Sequence, residues 1–321
     1  MMFDLGLTYF DLDKHDLSLP ISALENIDRI RAYARKSLAQ NTWRAYESDI
    51  QGFRAWGGTI PATPELVASY LADHAECLTV SSLTRKLAAI NKMHEMANHL
   101  SPTKSEIVRM TMRGIRREHS TKQRQASPLL RDDLIALINA LSANKKDIRD
   151  KALLMIGFSA ALRRSELVAL NMNDLEFTDA GLIITIRKSK TDQEGHGRKI
   201  SIPNGRTRYC PVQTLKDWLT HLPHNEGPLF TNIRKGDNIT ADRLSSGAVS
   251  TIIKEHVQKI GLDPALYSGH SLRAGFVSTA AQMNVPEWKI MKQSGHKSHQ
   301  TLLRYIRDAK LFEDHALDSM F

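Results

Sequence analysis

Three short segments in the second half of the chain carry side chains that could handle a phosphate group. They contain Arg163, the pair His270 and Arg273, and His296 followed nine residues later by Tyr305. Arginine presents paired N–H donors that match two phosphate oxygens, and histidine exchanges a proton near neutral pH. A tyrosine hydroxyl can act as a nucleophile. Together, these side chains could stabilise charge on a phosphodiester while the tyrosine attacks it.

The local context of each segment leaves some alternatives open. Arg163 and Glu166 have the i, i+3 spacing that places two side chains on one face of a helix, which favours Glu166 as an acidic partner. Arg164 is the alternative phosphate ligand if the register shifts by one residue. Three other histidines have no comparable context, and we interpret them as ordinary surface or hydrogen-bonded residues: His256, His299 and His315.

Taken in this order, the segments resemble the tyrosine recombinase (phage integrase) family, in a Cre-like two-domain layout. The catalytic set of that family runs Arg, Lys, His-x-x-Arg, His or Trp, and Tyr. The resemblance assigns these positions to Arg163, Lys190, His270, Arg273, His296 and Tyr305, with Glu166 in support. The family carries its lysine in a β-hairpin. Lys190 in the segment KSKTDQEG is the best match, and Lys188 and Lys199 are neighbours that could contact phosphate instead.

The resemblance implies a site-specific recombinase that breaks and rejoins DNA, as in DNA integration. Tyr305 would form a 3′-phosphotyrosine intermediate, which stores the bond energy so that resealing needs no cofactor, and Lys190 would protonate the leaving 5′-hydroxyl. The implied partners are double-stranded DNA with an inverted-repeat site and a homotetramer that passes through a Holliday junction. No metal is implied, because no carboxylate cluster lies near the basic set.

Two other functions are compatible with the same residues. A type IB topoisomerase would relax DNA with similar tyrosine chemistry, but the compact Cre-like N-terminal domain argues against it. A catalytically silent DNA-binding regulator of the same fold is the second alternative. An intact set of six catalytic residues argues against that function.

Apolar spacing predicts a mainly α-helical protein with one small antiparallel sheet. In the first half it predicts a helix after Ser22, a second capped by Thr42, a third starting at Pro64, a fourth from Ser81 and a fifth from Thr103 to Glu118. Further helices are predicted near residues 131–141, 149–170, 211–221, 243–260, 271–283, 286–293, 298–307 and 310–319. Alternating β-branched residues predict a hairpin within 181–203.

The domain organisation follows from these elements and from the resemblance. Residues 1–20 are predicted to be an N-terminal arm, 21–118 a SAM-like helical core-binding domain, 119–128 a basic linker, and 129–321 a catalytic domain with the DNA breaking-rejoining fold. The apolar stripe after Asp308 predicts a C-terminal helix, and the resemblance implies that it docks on a neighbouring protomer. Packing of this helix on its own domain is the alternative.

The composition favours a polyanionic partner, because 44 Lys and Arg residues oppose 35 Asp and Glu and give a net charge of +9. The expected DNA-contacting residues are Arg44, Arg85, Lys86, Lys92, Arg116, Arg117, Lys122, Arg124 and Arg243. Two distant cysteines indicate neither disulfides nor zinc, and no apolar run of about 18 residues predicts a membrane span. We therefore expect a cytoplasmic, nucleoid-associated protein.

Overall fold

The computed structural model of this 321-residue chain describes residues 26–119, 125–187, 197–296 and 298–309. Backbone contacts divide the chain into two compact units, residues 1–124 and 125–321, and the boundary falls within the stretch predicted to be a linker. Several predicted features lie outside the described residues: the N-terminal arm, Lys122, Arg124, Lys188, Lys190 and the C-terminal helix at 310–319.

Unit 1 is a bundle of helices around an aromatic and aliphatic core. In the described residues its helices are α1 (Ile27–Lys36), α2 (Gln40–Ala55), α3 (Pro64–Asp73), α4 (Val80–Met96) and α5 (Glu106–Glu118). Phe53, Tyr70 and Leu83 are fully buried between them. Proline is favoured in the first turn of a helix, and α3 begins at Pro64 with the Thr63 hydroxyl accepting from the Leu66 amide.

Two predicted helix starts in unit 1 are wrong. Thr42 is not an N-cap, because α2 already begins at Gln40 and the Ala39 carbonyl accepts from the Thr42 amide. The fifth helix begins at Glu106 instead of Thr103. A separate 3-10 turn covers Pro102–Lys104, and the extended backbone of Ser105 interrupts the helical path.

Unit 2 is mostly helical and holds two small antiparallel sheets. Its helices are α6 (Arg131–Asn139), α7 (Lys145–Ser159), α8 (Arg164–Ala169), α9 (Pro211–Leu219), α10 (Ser246–Lys259), α11 (Ser271–Gln282), α12 (Glu287–Ser294) and α13 (His299–Ala309). Its strands are β1 (Leu175–Thr178), β2 (Gly181–Ile186), β3 (Arg198–Pro203), β4 (Thr231–Arg234) and β5 (Asn238–Arg243). The predicted fold class, mainly α with a small antiparallel sheet, is confirmed.

The sheet β1-β2-β3 contains the two strands predicted as a hairpin. Ile184 pairs with Ile200 and Leu182 with Ile202, so the alternating apolar residues of both strands face the core. The hairpin β4-β5 was not predicted, since its polar strands lack that alternation. Arg243 was expected to open a helix; it ends β5 instead, and α10 begins at Ser246 with Ser245 as its cap.

Helices α7 and α11 form the core that positions the functional residues. Helix α11 is almost wholly buried, and it approaches the segment before α6 so closely that a Cβ atom on Gly275 would lie 1.8 Å from the Leu129 carbonyl oxygen. A residue with any side chain would push this helix outward. In the described ranges no helix has the length and apolarity to cross a membrane.

Candidate functional site

Four elements of unit 2 bring the motif residues together. Arg163 occupies the N-cap of α8, His270 occupies the N-cap of α11, His296 lies in the turn after α12, and Tyr305 lies on α13. His270 Nε2 lies 2.7 Å from the Tyr305 hydroxyl oxygen. The His296 ring centroid lies 6.1 Å from that of Tyr305. Residues that are up to 142 positions apart in sequence therefore share one site.

Arg163 is held by a buried carboxylate. Its Nη1 donates to Glu166 Oε1 at 2.6 Å, and its backbone amide donates to Glu166 Oε2 at 3.1 Å. Glu166 is 3% exposed, and these hydrogen bonds compensate for the loss of water around its buried charge. Arg164 is exposed and its Nη1 lies 3.5 Å from the Ser250 hydroxyl, so it is Arg163 that lies beside the acidic partner.

Arg273 is the most deeply buried basic group of the site, at 2% exposure. Its Nη1 donates to the carbonyls of Ala161 and Ser294, while its buried Nη2 has no hydrogen-bond partner among the described residues. Burial, aided by the charge of Arg163, lowers the pKa of Arg273 to about 10. A desolvated cation with a free donor is an anion-binding group.

Both histidines are held in the neutral form at neutral pH. Burial lowers the pKa of His270, and the nearby Arg273, Arg163 and Arg164 lower it further. Burial and the same two site arginines, Arg273 and Arg163, lower the pKa of His296 to about 4. A neutral imidazole offers one donor and one acceptor nitrogen, so the tautomer decides what each ring can do.

The tautomer of His296 follows from its neighbour Ser294. The Ser294 hydroxyl donates to the Ile290 carbonyl at 2.7 Å and also lies 2.7 Å from His296 Nδ1. A hydroxyl has a single hydrogen, so Nδ1–H must be the donor in the second contact if both hydrogen bonds form. Nε2 of the neutral ring is then an acceptor.

Tyr305 is not activated by acidity in this structure. Burial raises the pKa of its hydroxyl, and the charges of Arg273 and Arg304 offset this only in part. The neutral His270 ring is placed to accept the hydroxyl proton. Tyr209 shows the contrast: a hydrogen bond from Arg208 lowers the pKa of its hydroxyl, yet its hydrogen-bond partners among the described residues are Arg208 and Asn139, which belong to no motif.

Two residues of the site were missed by the sequence analysis, Ser294 and Arg198. Arg198 is the first residue of β3. Its Nη1 donates to the Gln293 carbonyl at 2.9 Å and its Nη2 lies 3.6 Å from Glu166 Oε2. No motif signal marks it, because a basic residue at the start of a strand is ordinary.

The lysine expected in the hairpin lies outside the described residues. Lys190 belongs to the connection between β2 and β3, whose ends pair at Ile186 and Arg198. Of the two alternatives, Lys188 also lies outside, and Lys199 is exposed with its Nζ 3.7 Å from Glu176.

The expected DNA-contacting residues divide into two groups. Arg85 donates through Nε and Nη2 to the buried Asp49, and Lys86 Nζ lies 3.4 Å from the same carboxylate. Lys92 lies 3.8 Å from Glu95. These three side chains already have intramolecular partners in unit 1.

The remaining described members differ in whether their side chains form hydrogen bonds within the protein. Arg243 donates to the carbonyls of Val168 and Leu170, which caps the end of α8. By contrast, Arg44, Arg116 and Arg117 are exposed on helices of unit 1. Exposed arginines on a helix can contact a DNA backbone without losing internal hydrogen bonds.

One group in the described residues has the composition of a metal site: Asp147, Asp150 and His256. Asp150 already accepts from Arg149 and from His256, and Asp147 accepts from the Ser142 amide. These buried contacts connect α7 to α10. The group therefore has the features of a structural ion-pair network.

Comparison with known proteins identifies what this arrangement is similar to. Residues 128–311 match the phage integrase family. The chain is 39% identical over 312 residues to an integrase/recombinase XerD homolog of Selenomonas ruminantium, covering 93% of this chain and 92% of the relative. It is 26% identical over 297 residues to the recombinase Cre of Escherichia phage P1, covering 85% and 86%.

Solved structures share the fold. A lambda integrase (residues 75–356) dimer bound to a COC′ core site superposes with a TM-score of 0.63 at 20% identity, covering 89% of this chain and 95% of that chain. A lambda integrase tetramer bound to a Holliday junction gives a TM-score of 0.62 at 19% identity, covering 91% and 82%.

Proposed function

This chain belongs to the phage integrase family of tyrosine recombinases, and we propose that it cleaves and rejoins DNA at a specific site with Tyr305 as the nucleophile. The observation that carries the proposal is the 2.7 Å contact between the Tyr305 hydroxyl and His270 Nε2. That contact lies in a site where Arg273 has a buried donor with no hydrogen-bond partner in the described part of the chain.

The proposed cleavage step is a transesterification. The Tyr305 oxygen attacks the phosphorus as its proton passes to His270 Nε2, and a new O–P bond forms. The bond from phosphorus to the 5′ oxygen breaks, and its electron pair stays on that oxygen. Lys190 is proposed to protonate the leaving 5′ oxygen. Because burial raises the pKa of Tyr305, its hydroxyl is protonated at neutral pH and needs a proton acceptor for attack.

The charge that develops on the phosphate oxygens is proposed to be stabilised by Arg163, Arg273 and His296. Each arginine supplies N–H donors of fixed geometry inside a partly desolvated site. Nε2 of His296 is an acceptor in the tautomer inferred above, so it donates to a phosphate oxygen only after the tautomer changes or the ring binds a proton. An approaching phosphate favours proton binding, because its negative charge raises the pKa of the ring.

The assembly is proposed from the relatives. A structure with the same fold is a tetramer on a Holliday junction, and another is a dimer on a core site. We accordingly propose that four copies of this chain exchange strands between two DNA sites made of inverted repeats. The exposed Arg44, Arg116 and Arg117 and residues 122 and 124 are proposed to contact the DNA backbone.

The test begins with the DNA site. A Tyr305→Phe protein is used to select bound sequences from host-derived DNA, and a nicked version of the selected site serves as a suicide substrate. Wild-type protein in EDTA is expected to become covalently attached to this DNA. Tyr305→Phe should bind with unchanged affinity and form no adduct, because only the attacking oxygen is lost.

The matched control is Tyr209→Phe, which removes a hydroxyl beside an arginine on the surface of the same unit. It should form the adduct at the wild-type rate. Adduct formation by Tyr305→Phe, or a strict need for magnesium, would refute the mechanism. A nick that reseals with no exchange between two sites would instead favour topoisomerase activity.

A further inference from the structure

The guanidinium of Arg198 bridges two parts of the site that are far apart in sequence. Nη1 donates to the Gln293 carbonyl at 2.9 Å, in the last turn of α12 just before His296. Nη2 points to the other side, 3.6 Å from Glu166 Oε2. One planar side chain on β3 thus contacts both the partner of Arg163 and the segment that carries His296.

The backbone at Gly295 is shaped around this guanidinium. Gly295 has a φ of 67°, which favours glycine, and a Cβ atom there would lie 2.8 Å from Arg198 Cζ. The peptide that leads into His296 therefore rests directly on the guanidinium. Movement of Arg198 would free this turn to relax.

The balance of charge explains why Glu166 needs a second cation. In the proposed reaction Arg163 contacts both Glu166 and the phosphate. A buried carboxylate whose only cationic partner is shared in this way destabilises the folded protein. Burial lowers the pKa of Arg198, and the negative charge of the nearby Glu166 offsets part of that decrease. With Arg198 in place, Glu166 stays compensated while other donors of Arg163 face the substrate.

Direct contact between Arg198 and the phosphate does not fit the geometry. Nη1 donates to the Gln293 carbonyl. Nη2, like that of Arg273, is buried without a hydrogen-bond partner among the described residues, but it lies 3.6 Å from the Glu166 carboxylate, which would repel a phosphate. We propose that Arg198 is a positioning residue for strand cleavage: it holds the Glu166–Arg163 pair and the His296 turn in their working arrangement. The inference rests on the proposed function of the site.

The test compares Arg198→Met and Arg198→Lys with wild type in the suicide-substrate assay. A control, Arg234→Met, removes an arginine whose Nη2 is also 3.6 Å from a carboxylate, but with both partners on the surface. Residues that orient metal ligands typically contribute about 10- to 100-fold to activity, and we expect an effect of the same size for a residue that orients Arg163 and His296. We expect Arg198→Met to reduce the adduct rate by that factor with unchanged half-site affinity and a lower melting temperature, because buried Glu166 loses a cationic partner. Arg234→Met should match wild type.

Arg198→Lys separates charge from geometry, because an ammonium cannot span both acceptors. We expect it to remain about 10-fold slower than wild type. The His296 Cε1–H titration, followed by NMR, should move to higher pH in Arg198→Met and stay in place in Arg198→Lys, since the charge of Arg198 lowers the pKa of His296.

A substrate with a methylphosphonate at the cleaved position removes the charge on one non-bridging oxygen. It should rescue Arg163→Met, and it should rescue Arg198→Met only in part, because the His296 turn still lacks its contact with Arg198. Equal rescue of both variants would make Arg198 a phosphate ligand and overturn the positioning role, as would wild-type rates in Arg198→Met. If Arg198→Met fails to fold, full activity of Arg198→Lys overturns the bridging geometry. Failure of wild type to form any adduct would instead refute the proposed function.

Discussion

The neutral state of His296 in the free protein has a measurable thermodynamic consequence. Its pKa is lowered from an ordinary value of 6.5 to about 4 by burial and by the charges of Arg273 and Arg163. Between these two values the unfolded chain binds a proton that the folded protein does not. The contribution of neutral His296 to the free energy of unfolding is therefore fully present above about pH 6.5 and is lost as the pH falls towards 4.

The size of the effect follows from linkage. The change in the free energy of unfolding is RT times the logarithm of the ratio of the proton-binding polynomials of the unfolded and folded states. With these two pKa values, the free energy of unfolding is roughly 2 kcal/mol lower at about pH 5 than at about pH 7.5. The ring is only half buried, and solvent screening reduces the expected loss to about 1 kcal/mol. His296→Asn should lack this contribution.

The assay is urea unfolding of wild type and His296→Asn at the two pH values. The wild-type protein should lose about 1 kcal/mol more than the variant on acidification. NMR titration of the His296 Cε1–H signal, assigned by its absence in the variant, provides a direct second measurement. Two results together would refute the effect of burial and arginine charge on His296: an equal loss of unfolding free energy in both proteins at the lower pH, and a His296 signal that titrates near pH 6.5.

Three further predictions test other parts of the structure. Gly275→Ala should lower stability by about 1–3 kcal/mol in thermal melting, because the new Cβ atom would meet a backbone oxygen at 1.8 Å; Gly114→Ala, with open space around it, should not. Ser294→Ala should reduce the population of the Nδ1–H tautomer of His296, as measured by ¹⁵N NMR. An unchanged population would contradict the hydrogen bond between the Ser294 hydroxyl and Nδ1–H. Lys190→Ala should lose roughly 10²–10⁴-fold in cleavage and recover on DNA with a 5′-bridging sulfur; no recovery would exclude it as the acid.

Local patterns in the sequence predicted the elements well where apolar periodicity was strong. The hairpin strands β2 and β3 are confirmed, and the buried side chains recur at every second position: Leu182 and Ile184 on β2, and Ile200 and Ile202 on β3. Helix starts were less predictable. Pro64 marked one correctly, whereas the start at Thr42 was wrong because the backbone of Ala39, with no capping side chain, begins the helix earlier.

The intramolecular partners of basic residues could not be predicted from type. Arg85 was expected to face DNA, and it forms a bidentate pair with Asp49, which lies 36 residues earlier on a neighbouring helix. Arg243 caps α8 from the end of β5. In both cases the acceptor comes from an element distant in sequence, so only packing shows whether an exposed cation is already engaged.

Residue type, order and spacing alone predicted which side chains could take part in chemistry, a set that ends in Tyr305. Their arrangement depends on how distant elements pack. The burial of α11 leaves Arg273 with a donor that has no partner among the described residues. The Ser294 hydroxyl contacts His296 Nδ1, and Arg198 enters the site from β3 with no motif to mark it. Desolvation and hydrogen-bond partners arise from contacts between distant elements, and a local pattern carries no record of them.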